Sequence, residues 1–121
     1  MKIRKQGNDE GAAAVEAAIV FPVLILLIMG LVGFGLVLNA YQSINHAAYE
    51  GARYAALGQD NSAVTSRVDA TVGDIAQVTG VSSPGCSGGA NNAATVTVDA
   101  TVNAVFFDLD ISATGLEKCA S

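Results

Sequence analysis

The feature that most constrains this chain is a long stretch without formal charge. No Asp, Glu, Lys or Arg occurs between Glu16 and Glu50, and residues 17–38 are almost purely apolar. A helix that crosses a bilayer needs about 20 apolar residues, which this run supplies. The stretch then becomes amphipathic without a helix-ending signal. The sequence therefore predicts one long helix over residues 16–57, and its first part is predicted to span a membrane.

The flanking residues predict the orientation of that helix and divide the chain. Lys2, Arg4 and Lys5 precede the apolar run, whereas most of the charged residues beyond it are acidic. Because cytoplasmic flanks carry the excess of Lys and Arg, the N-terminus is predicted to be cytoplasmic and the C-terminal domain to lie outside, in a single-pass protein. We predict a leader over residues 1–11, a long transmembrane and extracytoplasmic helix over 12–57, and a small exported domain over 58–121.

The exported part is predicted to be α+β, with a core limited by its size. Asp60 or Asn61 offers an N-cap for a second helix that runs to about Gln77 and is closed by Gly80. Residues 94–106 alternate with period two, which predicts a half-buried strand with Val96, Ala104 and Phe106 on the same face. Shorter strands are predicted at 78–82 and 109–116, and a turn-rich loop at 82–93. The result is a small antiparallel sheet of two or three strands.

Cys86 lies in that loop and Cys119 lies near the C-terminus. Two cysteines in a small exported domain favour a disulfide, with two free thiols or an intermolecular bridge as the alternatives. One histidine and two distant cysteines do not form a zinc site. The acidic outer segment argues against direct nucleic-acid binding, which requires Lys and Arg against phosphates. No pattern typical of a catalytic site occurs, so neither an enzyme nor a cofactor is expected.

Small residues recur every fourth position in the second part of the long helix, in two adjacent rows. Residues four apart share a helix face, so the rows form one smooth stripe that another element can approach closely. That element is this protein's own outer domain or another subunit, or each of them at a different height along the helix. Pro22 removes one helical hydrogen bond within the apolar run and predicts a local kink. The rows are Ala47, Gly51 and Ala55, and Ala48, Ala52 and Ala56.

Glu16 lies at the boundary between the polar and the apolar residues. Its carboxylate is costly inside a bilayer. It is predicted either to lie among headgroups, close to the positive end of the helix dipole, or to pair with a cation inside an assembly. If the chain were cut after Gly11, Ala12 would provide such a cation as a free α-amino group.

Two segments resemble the TadE-like family of pilin-like proteins. They are GAAAVEAAIVFPVLILLIMGLVGFG at residues 11–35 and INHAAYEGARYAA at residues 44–56. The resemblance implies a minor pseudopilin of the Tad pilus, a branch of the type IV pili, and a prepilin peptidase that cuts between Gly11 and Ala12. It further implies that Glu16 aids processing and pairs with the N-terminal amine of a neighbouring subunit during assembly.

The function predicted from this resemblance is pilus assembly or initiation and surface adhesion. The implied partners are the prepilin peptidase, other pilin or pseudopilin subunits, the inner-membrane assembly platform and the membrane itself. The predicted location is the cell membrane, or an extracellular pilus after assembly. The alternative function is a single-pass, membrane-anchored extracytoplasmic binding module that never enters a filament.

Overall fold

A computed structural model describes residues 7–86, 92–104 and 106–119 of the chain. The α+β fold predicted from the sequence is confirmed: a long apolar helix and a short helix precede a three-stranded antiparallel sheet in the order β1-β2-β3. The elements are α1 (Gly7–Ala56), α2 (Asn61–Val72), a 3₁₀ turn (Gly73–Ile75), β1 (Gln77–Ser82), β2 (Ala93–Asn103) and β3 (Asp108–Lys118).

Helix α1 is longer at its N-terminus than the sequence predicted. It begins at Gly7, so residues 7–11, which we assigned to the leader, continue the helix; residues 1–6 lie outside the described part. Its 50 residues extend over about 75 Å at 1.5 Å per residue. Pro22 lies inside the helix without ending it. The helix ends where Gly58 adopts a positive φ of 77°, a conformation that glycine reaches without steric cost.

Asp60 caps α2, and its carboxylate accepts hydrogen bonds from the Ser62 hydroxyl at 2.6 Å and from the Ala63 backbone N–H at 3.3 Å. Both bonds favour the charged form and hold the pKa of Asp60 below its usual range, with the Ser62 bond as the larger cause. The cap satisfies one backbone N–H that the first helical turn leaves without a partner. The structure therefore confirms the predicted start of α2.

The end of α2 was predicted wrongly. The helix stops at Val72 because Gly73 takes a positive φ of 61°, and the chain then enters β1 at Gln77. Gly80, which we expected to close the helix, lies inside β1 where the register with β2 shifts. Val64, Val68 and Val72 are buried as their spacing predicted, but they cover only three helical turns.

The central strand β2 has the predicted alternation, and its apolar face packs on α1. It ends at Asn103, however, so Ala104 and Phe106 do not extend its buried face. Ala104 N–H instead donates to the Phe107 carbonyl at 2.9 Å, which closes a turn into β3, and Phe106 is 67% exposed. Val105, also placed on the strand by the prediction, lies outside the described residues. The side chains of β2 that form the core are Ala94, Val96, Val98, Ala100 and Val102.

Candidate functional site

Helix α1 presents two surfaces of different character along its length. From Val15 to Leu38 the large apolar side chains other than Val37 are exposed, and every residue from 18 to 32 is exposed. Gly33 is buried and Val37 is half-buried, where the turn between β2 and β3 lies beside the helix. By length and composition this helix is able to span a membrane. From Ala40 onward one face is buried by α2 and by the sheet. The apolar part and the packed part therefore meet near residue 39.

The small-residue stripe is covered by the outer domain of the same chain. Ala47, Gly51 and Ala55 are buried, as is the neighbouring alanine row. A Cβ built on Gly51 would lie 2.9 Å from Val68 Cγ2 of α2 and 3.1 Å from Val96 Cγ1 of β2. Three elements thus meet at Gly51. Of the two partners that the sequence left open, the chain's own domain occupies the stripe.

Replacing Gly51 with leucine is expected to lower the free energy of unfolding of the outer domain by about 1–3 kcal/mol, because three elements already fill this position. Alanine is expected to change stability less, since a gain in helix propensity of about 1 kcal/mol opposes the crowding. The rate of trypsin cleavage after Arg67 in detergent-solubilised full-length protein measures the loss. Gly35→Leu is the matched control, because no atom lies within 4 Å of a Cβ there. Equal cleavage rates in the two leucine variants would contradict the prediction.

A second glycine, Gly115 of β3, sets the approach of the sheet to the helix. A Cβ on Gly115 would overlap the backbone carbonyl of Ala48 and lie 2.7 Å from the Tyr49 backbone nitrogen. Backbone atoms of a packed helix have little room to move. The sequence analysis missed this contact. Its only signal was a glycine within an otherwise regular strand, which often marks the close approach of another backbone.

The far end of the packed part is held by a polar contact between the helices. Glu50 of α1 pairs with Arg67 of α2 at 3.4 Å, rather than with Arg53 of its own helix. The Arg67 guanidinium also lies over the Tyr54 ring, 5.5 Å from its centroid. Because both charged side chains are partly exposed, the ion pair adds less than about 1 kcal/mol.

Cys86 and Cys119 form an intramolecular disulfide, with their Cα atoms 6.1 Å apart. Cys86 Sγ lies 3.8 Å from the Ala55 carbonyl oxygen, at the end of α1. The Cys119 N–H donates to the Asn92 carbonyl at 2.8 Å, which joins the end of β3 to the start of β2. The bridge therefore holds both the β1–β2 loop and the C-terminal end of β3 against the last turn of the long helix.

The predicted processing residues lie near the start of α1. Gly11, Ala12 and Glu16 are all exposed and are part of one continuous helix. Glu16 follows Ala12 by four residues, which places the two on the same helix face. Pro22 lines a shallow cleft with Ile25, Met29 and other apolar residues. In the described ranges, no group of three or more His, Cys, Asp or Glu side chains is arranged to hold a metal ion.

A comparison with protein families gives a match over most of the long helix. The family model described as TadE-like protein matches residues 11–53. The match begins at Gly11, contains Ala12, Glu16 and Pro22, and ends within the packed part of α1. No curated protein and no solved structure matches the chain. The resemblance predicted from the sequence is thus confirmed over residues 11–53, where the chain is similar to the TadE-like family, and this similarity suggests a protein associated with the Tad pilus.

Proposed function

We propose that this chain is a minor pilin-like subunit of a Tad pilus that acts in pilus assembly or initiation and in surface adhesion. The observation that carries the proposal is the extent of the family match, which starts at Gly11 and continues along α1 to Arg53. It therefore includes both the proposed processing position and the helix that would enter a filament. The proposed partners are a prepilin peptidase, other pilin or pseudopilin subunits and the inner-membrane assembly platform.

The two parts of α1 support a storage and assembly mechanism. In the membrane-anchored state, lipid would solvate the apolar side chains from Val15 to Leu38, which the protein itself leaves uncovered. On extraction, the same side chains would pack against the helices of other subunits, because moving them into water is unfavourable. The stripe around Gly51 takes no part in this exchange, since the outer domain already covers it. In the membrane we place the N-terminus in the cytoplasm and the domain outside.

Glu16 would have its effect during this exchange. Its carboxylate is exposed in the isolated chain, four residues after Ala12. Once surrounded by apolar helices, an unpaired carboxylate is costly, and pairing with a cation offsets that cost. The α-amino group that cleavage would create at Ala12 of an adjacent subunit is positively charged and could pair with this carboxylate. The pairing would favour insertion of a subunit only after cleavage and in one axial position relative to its neighbour.

N-terminal sequencing of the protein purified from membranes and from sheared filaments tests the proposed function. We expect the mature chain to start at Ala12 in both fractions. A chain that begins at Met1 in the membrane fraction and is absent from sheared filaments would instead support a membrane-anchored binding module. The method needs no variant, so its result does not depend on whether a substituted protein folds.

Substituting Glu16 with alanine is expected to leave membrane insertion unchanged and to reduce incorporation into sheared filaments by at least tenfold, since one unpaired buried charge costs more than about 1.4 kcal/mol. Immunoblots of the membrane and filament fractions measure both quantities. Asp9→Ala is the matched control, because it removes one carboxylate from the same helix within the proposed leader. If the two variants enter filaments equally well, Glu16 has no role in charge pairing.

A further inference from the structure

The turn between β2 and β3 exposes a cluster of large apolar side chains. Phe106 is 67% exposed, Phe107 is 56% exposed, and Leu109 at the start of β3 is 38% exposed. Scattered apolar residues on a protein surface are common, but two adjacent phenylalanines at the tip of a hairpin form a patch that requires a partner. We name the three residues the hairpin tip.

The hairpin tip lies beside the part of α1 that is able to span a membrane. Phe106 lines a shallow cleft together with Pro22, Ile25 and Met29. Phe107 and Leu109 line an adjoining cleft that includes Gly33. Both clefts are almost entirely apolar and open to the surroundings. Any solvent that surrounds α1 at this level must therefore also surround the hairpin tip.

The packing of the sheet on α1 explains this position. The sheet touches the helix at two close contacts, Gly51 with Val96 and Gly115 with Ala48. From Val96 to the end of β2 at Asn103 the chain runs seven residues, about 23 Å in extended conformation. From Gly51 back to Leu36 the helix covers about the same distance, roughly 23 Å, and the turn that follows Asn103 lies beside Gly33 and Val37. Strand and helix thus run side by side, and the close contacts determine how far the hairpin reaches toward the N-terminal end of α1.

We propose that the hairpin tip is a second membrane-contacting element, with Phe106 and Phe107 inserted among the acyl chains of the outer leaflet. The proposal rests on the part of the proposed function that places α1 in a bilayer. Its partner is lipid hydrocarbon because the tip is continuous with the apolar surface of the helix. The insertion would hold the outer domain against the membrane, so that extraction of a subunit would withdraw the hairpin together with the helix.

The carboxylates around the hairpin give an independent argument for lipid. Asp108 is exposed directly after the phenylalanine pair, and Asp110 accepts a hydrogen bond from Thr101 at 2.6 Å. Charges avoid hydrocarbon, so its outer boundary must lie between these carboxylates and the two phenylalanines. On α1 that is the level of Gly33, Phe34 and Val37, which line the cleft next to the tip. About 20 residues toward the N-terminus, one hydrocarbon thickness, lies Glu16. The carboxylates at the two ends are therefore spaced to fit a bilayer.

A single tryptophan can measure the depth of the tip, because the natural chain contains none. The full-length Phe106→Trp protein is reconstituted into phosphatidylcholine vesicles whose acyl chains are brominated either near the headgroup or near the chain end. We expect blue-shifted emission that falls severalfold in both brominated lipids, with the stronger quenching near the headgroup. Leu57→Trp, at the far end of α1 and 62% exposed, is expected to show red-shifted emission without quenching. Ile25→Trp, in the apolar part, is expected to be quenched most by deep bromine.

The three positions separate the outcomes. Quenching of Ile25→Trp without quenching of Phe106→Trp would overturn the inference and leave the membrane anchor intact. Absence of quenching at both positions would contradict the anchor itself. Blue-shifted but unquenched Phe106→Trp would mean that protein, such as a second copy of this chain, covers the tip, which also overturns the inference. Trypsin cleavage after Arg67 shows whether the outer domain of the Phe106→Trp variant is folded. If that variant is unfolded, Phe107→Trp makes the same measurement from the adjacent position.

Discussion

Replacing Gly115 with alanine is expected to separate the sheet from the long helix and to lower the free energy of unfolding of the outer domain by about 3 kcal/mol, the upper end of the usual cost of overpacking. The reason is the nature of the obstacle. The added methyl group would meet the backbone carbonyl of Ala48, not the end of a flexible side chain. Helix and strand must move apart, and every core contact between them lengthens as a result.

Amide hydrogen exchange in full-length, detergent-solubilised protein would measure this loss. Protection should fall throughout β2 and β3, whereas α1 before Pro22 should keep its wild-type rates, because the outer domain reaches no further along the helix than the clefts that Phe106 lines. Gly80→Ala is the matched control, since it adds the same methyl group to another strand, where it would make only an ordinary contact with Asp99 Oδ2 at 3.7 Å. Wild-type protection in Gly115→Ala would show that the helix and the sheet tolerate greater separation than the contact geometry implies.

Removal of the disulfide is expected to have a similarly large effect. Cys86 and Cys119 are separated by 33 residues, and releasing a loop of this length costs about 3–4 kcal/mol in the chain-entropy account. For a domain of this size such a loss is a large share of the total stability. The Cys86→Ala/Cys119→Ala variant removes the bridge without placing a hydroxyl group against the end of α1. Its urea midpoint, followed by trypsin cleavage after Arg67, should fall well below that of the oxidised wild type.

Reduction of the wild-type protein provides an independent comparison. Its midpoint should fall to near that of the double variant, and dithiothreitol should leave the double variant unchanged. The single variant Cys86→Ala should be as unstable as the double variant and should in addition form dimers through Cys119 under oxidising conditions. A reduced wild-type protein with an unchanged midpoint would mean that the packing of β3 on α1, and not the bridge, holds the C-terminal end in place.

The parts of the structure that followed from the sequence are those with a strong local signal. The apolar run over residues 17–38 requires a continuous helix, because a backbone in lipid must satisfy its own hydrogen bonds. The alternation in β2 and the cap at Asp60 likewise depend on neighbouring residues alone. The count of two cysteines favoured a bridge between Cys86 and Cys119, and the structure decided for the intramolecular bond over free thiols or an intermolecular bridge. The family match confirmed the resemblance that the segments at 11–35 and 44–56 had indicated.

The local errors arose where two signals overlapped. The valine spacing of α2 continues into Ile75 and Ala76, but the positive φ of Gly73 ends the helix first. Similarly, the alternation of apolar and polar residues in β2 continues in the sequence to Phe106, although the chain turns after Asn103. The residues in these overlaps are compatible both with the predicted helix or strand and with the turn that the structure contains. The choice between them came from the position at which β1 and β3 had to pair with β2.

By itself, the sequence determined that α1 is apolar at one end and lined with small residues at the other. Only the tertiary structure decided what those small residues contact, because a smooth helix face accepts a domain and another subunit equally well. The stripe is filled by Val68, Val96 and the backbone approach at Gly115. These contacts join residues far apart in the chain, and no local pattern records them. They also place the β2–β3 turn beside the apolar part of α1. The position of the hairpin tip therefore follows from the tertiary structure and could not be predicted from the sequence.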